Sequence, residues 1–312
     1  MRLPEHTVRA VLHVGPSQTP GGMATVIRTL SENPPEGWNC EVLNSHSMNG
    51  IVGKLIAWQR AKAYLKKHGN KFDIIHLHCA SDWSFKRKCS LAKIANSLGI
   101  PCIMHIHSGA FANWARNRIL KQKIRGAHVV SLTPEMSKEI KSSLGNSVVI
   151  PNPIIISESK NRNRDPHKLL LLGRKDEVKG HKFAIDLVKK LRSDDSSYSL
   201  DMTGINHNEE GIIGHGWVDE EKKEQLLDQA GILLVPSQFE GQPMVILEAC
   251  AKGLPVIASD ISVPEGVLKV PLDDMDAWIN AIRKGGGVGD VSQNEISVVQ
   301  GLWKDFYSSI VS

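Results

Sequence analysis

Short apolar runs alternate with amphipathic stretches along the whole chain, and this alternation constrains the fold more than any other feature. Runs such as VRAVLHV (8–14), DIIHLH (73–78), PCIMHI (101–106), AHVVSL (127–132) and SVVI (147–150) read as strands. Helices are predicted between them, at about 22–31, 51–68, 84–98, 113–124 and 134–144. The PNP at 151–153 and the polar SESKNRNRDPHK at 157–168 then break the pattern. A second series follows, with strands at 168–173, 198–203, 231–235 and 255–258 and helices at 179–192, 219–229, 243–252 and 275–284. A glycine-rich turn precedes a last helix at 294–310, which carries Trp303, Phe306 and Tyr307. Strands alternating with helices predict an α/β fold with parallel, doubly wound sheets. The boundaries predict a domain at 1–153, a linker at 154–167, a second domain at 168–293 and a terminal helical segment at 294–312. Two such sheets would face each other across a cleft, with ligands at the strand carboxyl ends.

Composition narrows the function classes. The net charge of +5 hides an asymmetry: residues 1–160 hold 21 Lys and Arg against 9 Asp and Glu, and residues 161–312 hold 17 against 24. A basic half joined to an acidic half suits modules that meet different partners, the basic one an anionic surface. That half lacks the interleaved aromatics of a nucleic-acid binder, so no nucleic acid is expected. The five cysteines are scattered without CxxC spacing, which fits reduced thiols and a cytoplasmic protein. Neither a signal peptide nor a membrane-spanning run is apparent.

Three segments carry candidate chemistry. The strand at 8–14 runs into GPSQTPGGMATVIRTL, where Gly21 and Gly22 meet a helix start and backbone amides can approach an anion. A plain Gly-Gly turn fits the same residues. In GRKDEVKG, Arg174 and Lys179 bracket a turn after a strand, which suits a diphosphate, or two solvated charges. In PSQFEGQPMVILEACAKGLPVIASD (236–260), a helix is predicted to start near Pro243, with the Met244 and Val245 amides facing outward. Glu248 lies roughly 8 Å further along that helix, near the reach from a diphosphate to a ribose. Glu240 stands on the preceding loop and could accept sugar hydroxyls. A loop acid and a helix surface acid would give the same pair.

The last of these segments resembles the donor-site signature of retaining glycosyltransferases of family 4, which have the GT-B fold. The likeness includes the E-x7-E pair and extends to the PGG loop (20–22), DIIHLH, IMHIHSGAF (103–111), VIPNP (149–153), GRKDEVKG and GWVDEEKKEQLLDQAGILLVPS (216–237). The resemblance implies a hexosyltransferase-type enzyme that moves a sugar from a UDP- or GDP-sugar to an acceptor hydroxyl. The acceptor would be a glycan or lipid-linked saccharide in the synthesis of bacterial surface polysaccharides. By that resemblance Gly22 offers its amide to the donor phosphate, Arg174 and Lys179 bind the diphosphate, Glu240 contacts the sugar and Glu248 the ribose. Met244 and Val245 lie near phosphate and sugar, His107 approaches the sugar, and the last helix returns to the N-terminal domain. Gln242 stands where the family usually has Phe, and ISVPEG (261–266) lacks the usual Gly-Gly before PE.

The implied mechanism runs through an oxocarbenium-like transition state, with negative charge growing on a diphosphate that Arg174, Lys179 and helix amides oppose. The catalytic group is then His107, Glu240, Arg174 and Lys179. No cofactor or metal is expected. Asp274 and Asp276 form a D-x-D that reads as a helix cap, and His76, His78, His105 and His107 read as packed strand histidines. The alternatives are a GT-B scaffold without turnover, or another GT-B activity such as a nucleotide-sugar epimerase. The basic helix IVGKLIAWQRAKAYLKKHG (51–69) reads either as a peripheral membrane contact or as a solvated face above a core stripe of Ile51, Leu55, Trp58 and Leu65.

Overall fold

The computed structural model describes residues 8–124, 126–156 and 164–311. They fall into two compact units, Met1–Pro153 together with Asn294–Ser312, and Ile154–Gln293.

The first unit begins with β1 (Arg9–Gly15), α1 (Gly22–Glu32), β2 (Trp38–Asn44), α2 (Gly50–His68), β3 (Ile74–Cys79) and α3 (Asp82–Ser97). It continues with β4 (Cys102–Ile106), α4 (Phe111–Ala115), α5 (Lys121–Ile124), β5 (His128–Ser131), α6 (Pro134–Leu144) and β6 (Val148–Val149). Its six strands pair in the order β2-β1-β3-β4-β5-β6, all parallel. β3 and β4 are buried along their whole length, which explains why they read as continuous apolar runs. β2 was not predicted. It is an edge strand with mostly exposed or half-exposed side chains, so it carries no apolar run. The single helix expected at 113–124 is two short helices. The chain leaves the helix at Arg116, with a ψ of 131°, and Asn117 follows with a left-handed φ of 61°, a conformation asparagine tolerates better than most residues.

The second unit begins with β7 (Lys168–Leu171), α7 (His181–Asp194), β8 (Ser199–Met202), β9 (Asn206–Glu209), β10 (Ile212–His215) and α8 (Glu220–Gln229). Then come β11 (Ile232–Val235), α9 (Met244–Ala251), β12 (Val256–Ala258), β13 (Leu268–Lys269) and α10 (Met275–Arg283). The sheet order is β13-β12-β11-β7-β8-β10-β9, parallel except for the β9–β10 hairpin. This polar edge hairpin was not predicted, and neither was β13. Asp274 caps α10 by accepting from the Ala277 amide at 2.9 Å, as the D-x-D reading required. Most of the predicted linker, 157–163, lies outside the described residues. From Arg164 onward the chain is tied to this unit, the guanidinium donating to the carbonyls of Leu227, Ala230 and Lys252.

The final helix, α11 (Ile296–Ile310), packs on the first unit. It buries Val299, Trp303 and Tyr307, and Trp38 of β2 meets Tyr307 with ring centroids 5.1 Å apart. Asn294 donates to the Asn152 carbonyl at 2.9 Å, and Gln300 to that of Asn33 at 3.1 Å.

Candidate active site

In the second unit the strand order reverses between β7 and β11, which are neighbours in the sheet. Beyond the carboxyl ends of strands at such a reversal, parallel sheets leave a crevice for ligands. The loop after β7 supplies Arg174 and Lys179, and the loop after β11 supplies Glu240. The two loops are joined by Gln238 N–H donating to the Val178 carbonyl at 2.9 Å. Gly180, with φ of +74°, passes so close to Pro236 that a Cβ there would strike the Pro236 carbonyl. Only glycine fits this approach.

The approach brings Lys179 and Glu240 together: the ammonium donates to the carboxylate in a direct ion pair. Arg174 does not join them. It pairs with Asp176 at 2.9 Å and is 72% exposed. Asp176 also accepts from the Val178 amide at 3.2 Å, so it shapes the turn that carries Lys179.

α9 starts at Met244 behind Pro243, and its first intrahelical bond in the cap runs from the Ile246 amide to the Pro243 carbonyl at 3.1 Å. The Met244 and Val245 amides precede that bond and are among the orphan donors of a helix N-terminus. Glu248, on the next turn, is 8% exposed. Its Oε1 accepts from Lys223 of α8 at 3.0 Å, while its Oε2 is buried without a partner. Burial raises the Glu248 carboxyl above the usual range, and Lys223 pulls partly against that rise. Lys223 also pairs with Glu220 at 2.9 Å, and these acids outweigh burial to lift its ammonium. Lys223 was missed as a site residue. Its only signal was the Glu220–Lys223 spacing of three, which puts both on one face of α8.

In the first unit, Gly22 opens α1 after Gly21, whose φ of 140° lies outside the range of L side chains. His107 follows β4 and belongs to a cluster of five imidazoles on β1, β3 and β4. His13 Nδ1 bonds His78 Nε2 at 2.9 Å, and His78 Nδ1 bonds His107 Nε2 at 2.9 Å. A second chain runs from Tyr307 to His76 Nδ1 at 2.8 Å and from His76 Nε2 to His105 Nδ1 at 3.1 Å. Burial pushes His13 and His107 down to about 3 and the other three well below their ordinary value, with like charges adding to the effect at His76, His78 and His105. The ring nitrogens of His13, His76 and His78 lie within 4.8 Å of one another, as do those of His78, His105 and His107, and either trio could hold a metal ion. The bonds between imidazoles use most of those nitrogens, and His76 stacks on His78 at 10°, face to face.

A cavity of about 480 Å³ runs along α3, lined by Phe85, Lys86, Lys93, Trp114 and Arg118 among others. It contains none of the site residues predicted from the sequence.

Residues 43–158 match the model of the family described as Glycosyltransferase Family 4, and residues 166–284 that of Glycosyl transferases group 1. The chain is similar to an "Uncharacterized 41.2 kDa protein in cps region" of Klebsiella pneumoniae, with 23% identity over 302 residues and 82% of each chain covered. It is similar to the UDP-Gal:alpha-D-GlcNAc-diphosphoundecaprenol alpha-1,3-galactosyltransferase of Escherichia coli, with 24% identity over 270 residues, covering 70% of this chain and 67% of that protein. Sucrose-phosphate synthase from Thermosynechococcus elongatus superposes with a TM-score of 0.68 at 18% identity, covering 96% of this chain and 97% of the other. A lipopolysaccharide outer core galactosyltransferase gives 0.57 at 20% identity, with 97% and 96% covered. Parallel sheets in two units and these neighbours establish the two-domain GT-B fold. With a glycosyltransferase model matching each part, residues 43–158 and residues 166–284, the chain belongs to the GT-B glycosyltransferases.

Proposed function

We propose that this protein transfers a sugar, with retention of anomeric configuration and without a metal, from a UDP- or GDP-sugar to an acceptor hydroxyl. The acceptor is a glycan or lipid-linked saccharide of surface polysaccharide synthesis, in keeping with the name of the similar E. coli enzyme. The observation that carries this reading is Glu248, a buried carboxylate with one oxygen held by Lys223 and the other unpartnered, on the turn behind two outward amides. A ribose hydroxyl offers that oxygen the missing donor, while the amides face a phosphate.

Lys179 and Glu240 hold one another before the donor arrives. A diphosphate then draws on the ammonium and frees the carboxylate for the hydroxyls of the sugar. Arg174, exposed beside them, closes on the diphosphate as its charge grows. Fixed donors aimed at that charge act as electrostatic preorganisation. Gly22 and His107 are assigned to the same donor, His107 to orient its sugar. The departing phosphate accepts the proton of the acceptor.

Thermal stabilisation of the pure protein by a panel of nucleotides and nucleotide-sugars tests this, since a ligand of the folded form raises stability with saturation. One nucleoside diphosphate and its sugar should stabilise, and transfer from it should persist in EDTA with retention read by NMR of the product. A folded sample stabilised by none of them would leave a scaffold without turnover, and interconversion of the donor without acceptor would favour an epimerase.

The anionic membrane surface is proposed as a further partner. At the start of α2, Ile51 (79% exposed) and Val52 (68% exposed) stand bare together with Met48, Leu55 and Ile56. They lie among Lys54, Arg60 and Lys62 of the same helix. Apolar side chains beside lysines and arginines suit the headgroup region of an anionic leaflet.

A further inference from the structure

The first unit has its own reversal of strand order: β2 lies on one side of β1, and β3 to β6 follow on the other. At the carboxyl ends of these strands several basic side chains gather. Ser45 directly follows β2, its amide bonded to the Gly15 carbonyl at the end of β1 at 2.9 Å. Lys88, on the inner face of α3, is 3% exposed and donates to Ser45 Oγ at 2.8 Å. The next residue, His46, is bonded through Nδ1 to Thr19 Oγ1 at 3.0 Å.

Electrostatics reports the same gathering. After burial, the charges of Lys54, Arg87 and Lys88 all press the His46 imidazole down. The charge of Lys88 also presses the His107 imidazole down. Arg87 Nε is buried and without a partner. Among the described residues no carboxylate acts on Lys88 or Arg87, and burial lowers the Lys88 ammonium to about 8.

A buried ammonium bonded to one hydroxyl is expensive, because a hydroxyl does not replace the water it has lost. Proteins neutralise such a charge with an acid, and among the described residues no carboxylate bonds Lys88 or Arg87. A phosphate supplies the absent charge and has oxygens enough for an ammonium, a guanidinium fork and two hydroxyls. The position, beyond the strand ends at the reversal, is where such a sheet receives a ligand.

We propose that Lys88, Arg87, Lys54 and His46, with Ser45 and Thr19, bind a phosphate or diphosphate group carried by the acceptor. The assignment to the acceptor rests on the proposed transfer reaction, while the anion site stands on the first unit alone. The group belongs to one of two sources, a lipid-linked diphosphate or a soluble sugar phosphate.

The test is thermal stabilisation of the full chain by farnesyl diphosphate and by glucose 6-phosphate, beside the stabilising nucleotide. Wild type should bind at least one probe, and the tighter one identifies the source. Lys88→Met keeps most of the stem without the charge, and should weaken the probe at least tenfold while leaving the nucleotide unaffected. Arg87→Gln, at a half-buried position, should do the same if Lys88→Met fails to fold. Lys179→Ala should show the converse pattern. Absence of binding by both probes overturns the site, as does a wild-type affinity in the Lys88 and Arg87 variants, or loss of the probe in Lys179→Ala alone. Loss of nucleotide binding in wild type would instead sink the proposed reaction and leave the anion site standing.

Discussion

Glu248 has two oxygens with different fates, and this makes it the residue whose substitution says most. Hydrogen bonds to a charged group contribute about 1.5–3 kcal/mol, so Glu248→Ala should weaken nucleotide affinity roughly 10–100-fold by calorimetry. Burial holds its carboxyl above the ordinary range, and the ionised form is the stronger acceptor for the proposed ribose contact. Affinity should therefore rise as pH climbs through that raised pKa. Lys223 favours the ionised form, so Lys223→Met should move the rise to higher pH; an unmoved profile would contradict the pairing. Lys179→Ala should lower kcat by at least about 100-fold, the size of effect seen when one donor to a developing oxyanion is removed. Glu240 and Glu248 could be singled out in the sequence because their spacing of eight spans a loop and a helix. Their partners could not. Lys179 pairs with a residue 61 positions away and Lys223 with one 25 away, and such meetings depend on which strands lie side by side.

The histidines of β1, β3 and β4 were visible as letters on predicted strands, but their bonding follows from register. His13 lies opposite His76 and His78 opposite His105, so the parallel pairing stacks them on one face. Burial disfavours the charged form of all five in the fold, and they take up protons once unfolded, near the ordinary value of about 6.5. The unfolded chain thus binds more protons below about pH 6.5, down to about pH 3 for His13 and His107, and stability falls as pH drops through that window. Each histidine contributes up to about 1.4 kcal/mol per pH unit. The melting temperature should fall steeply below pH 6.5, and His105→Gln should flatten that fall; an unchanged slope would mean that the cluster does not titrate on unfolding. Strands that cross the middle of a sheet were legible because burial on both faces makes them uniformly apolar. β2 and the β9–β10 hairpin were not, because edge strands facing water lose that signal. The helix at 113–124 looked continuous because neither proline nor glycine marks its break. Arg116, with a ψ of 131°, and the left-handed Asn117 make it together.

The division of charge, basic in residues 1–160 and acidic beyond, is a property of the molecule rather than of any site. Together with the bare apolar start of α2 it predicts flotation with anionic but not with neutral liposomes. Partition should weaken with salt, since exposed charges are screened within about 10 Å at 0.1 M. An Ile51→Asp, Val52→Asp pair should abolish it without loss of fold, both side chains being exposed. A protein that stays in the soluble fraction under all these conditions would remove the membrane from its partners. The placement of α11 has a consequence for how the chain is made. Trp303 and Tyr307, which close over His76 and Trp38, are translated only after the whole of Ile154–Gln293. At about 5–20 residues per second, that interval lasts on the order of 10–30 s. For that time the nascent first unit presents an open apolar and imidazole face to the ribosome exit and to chaperones, while the second unit, continuous in sequence, is free to finish first.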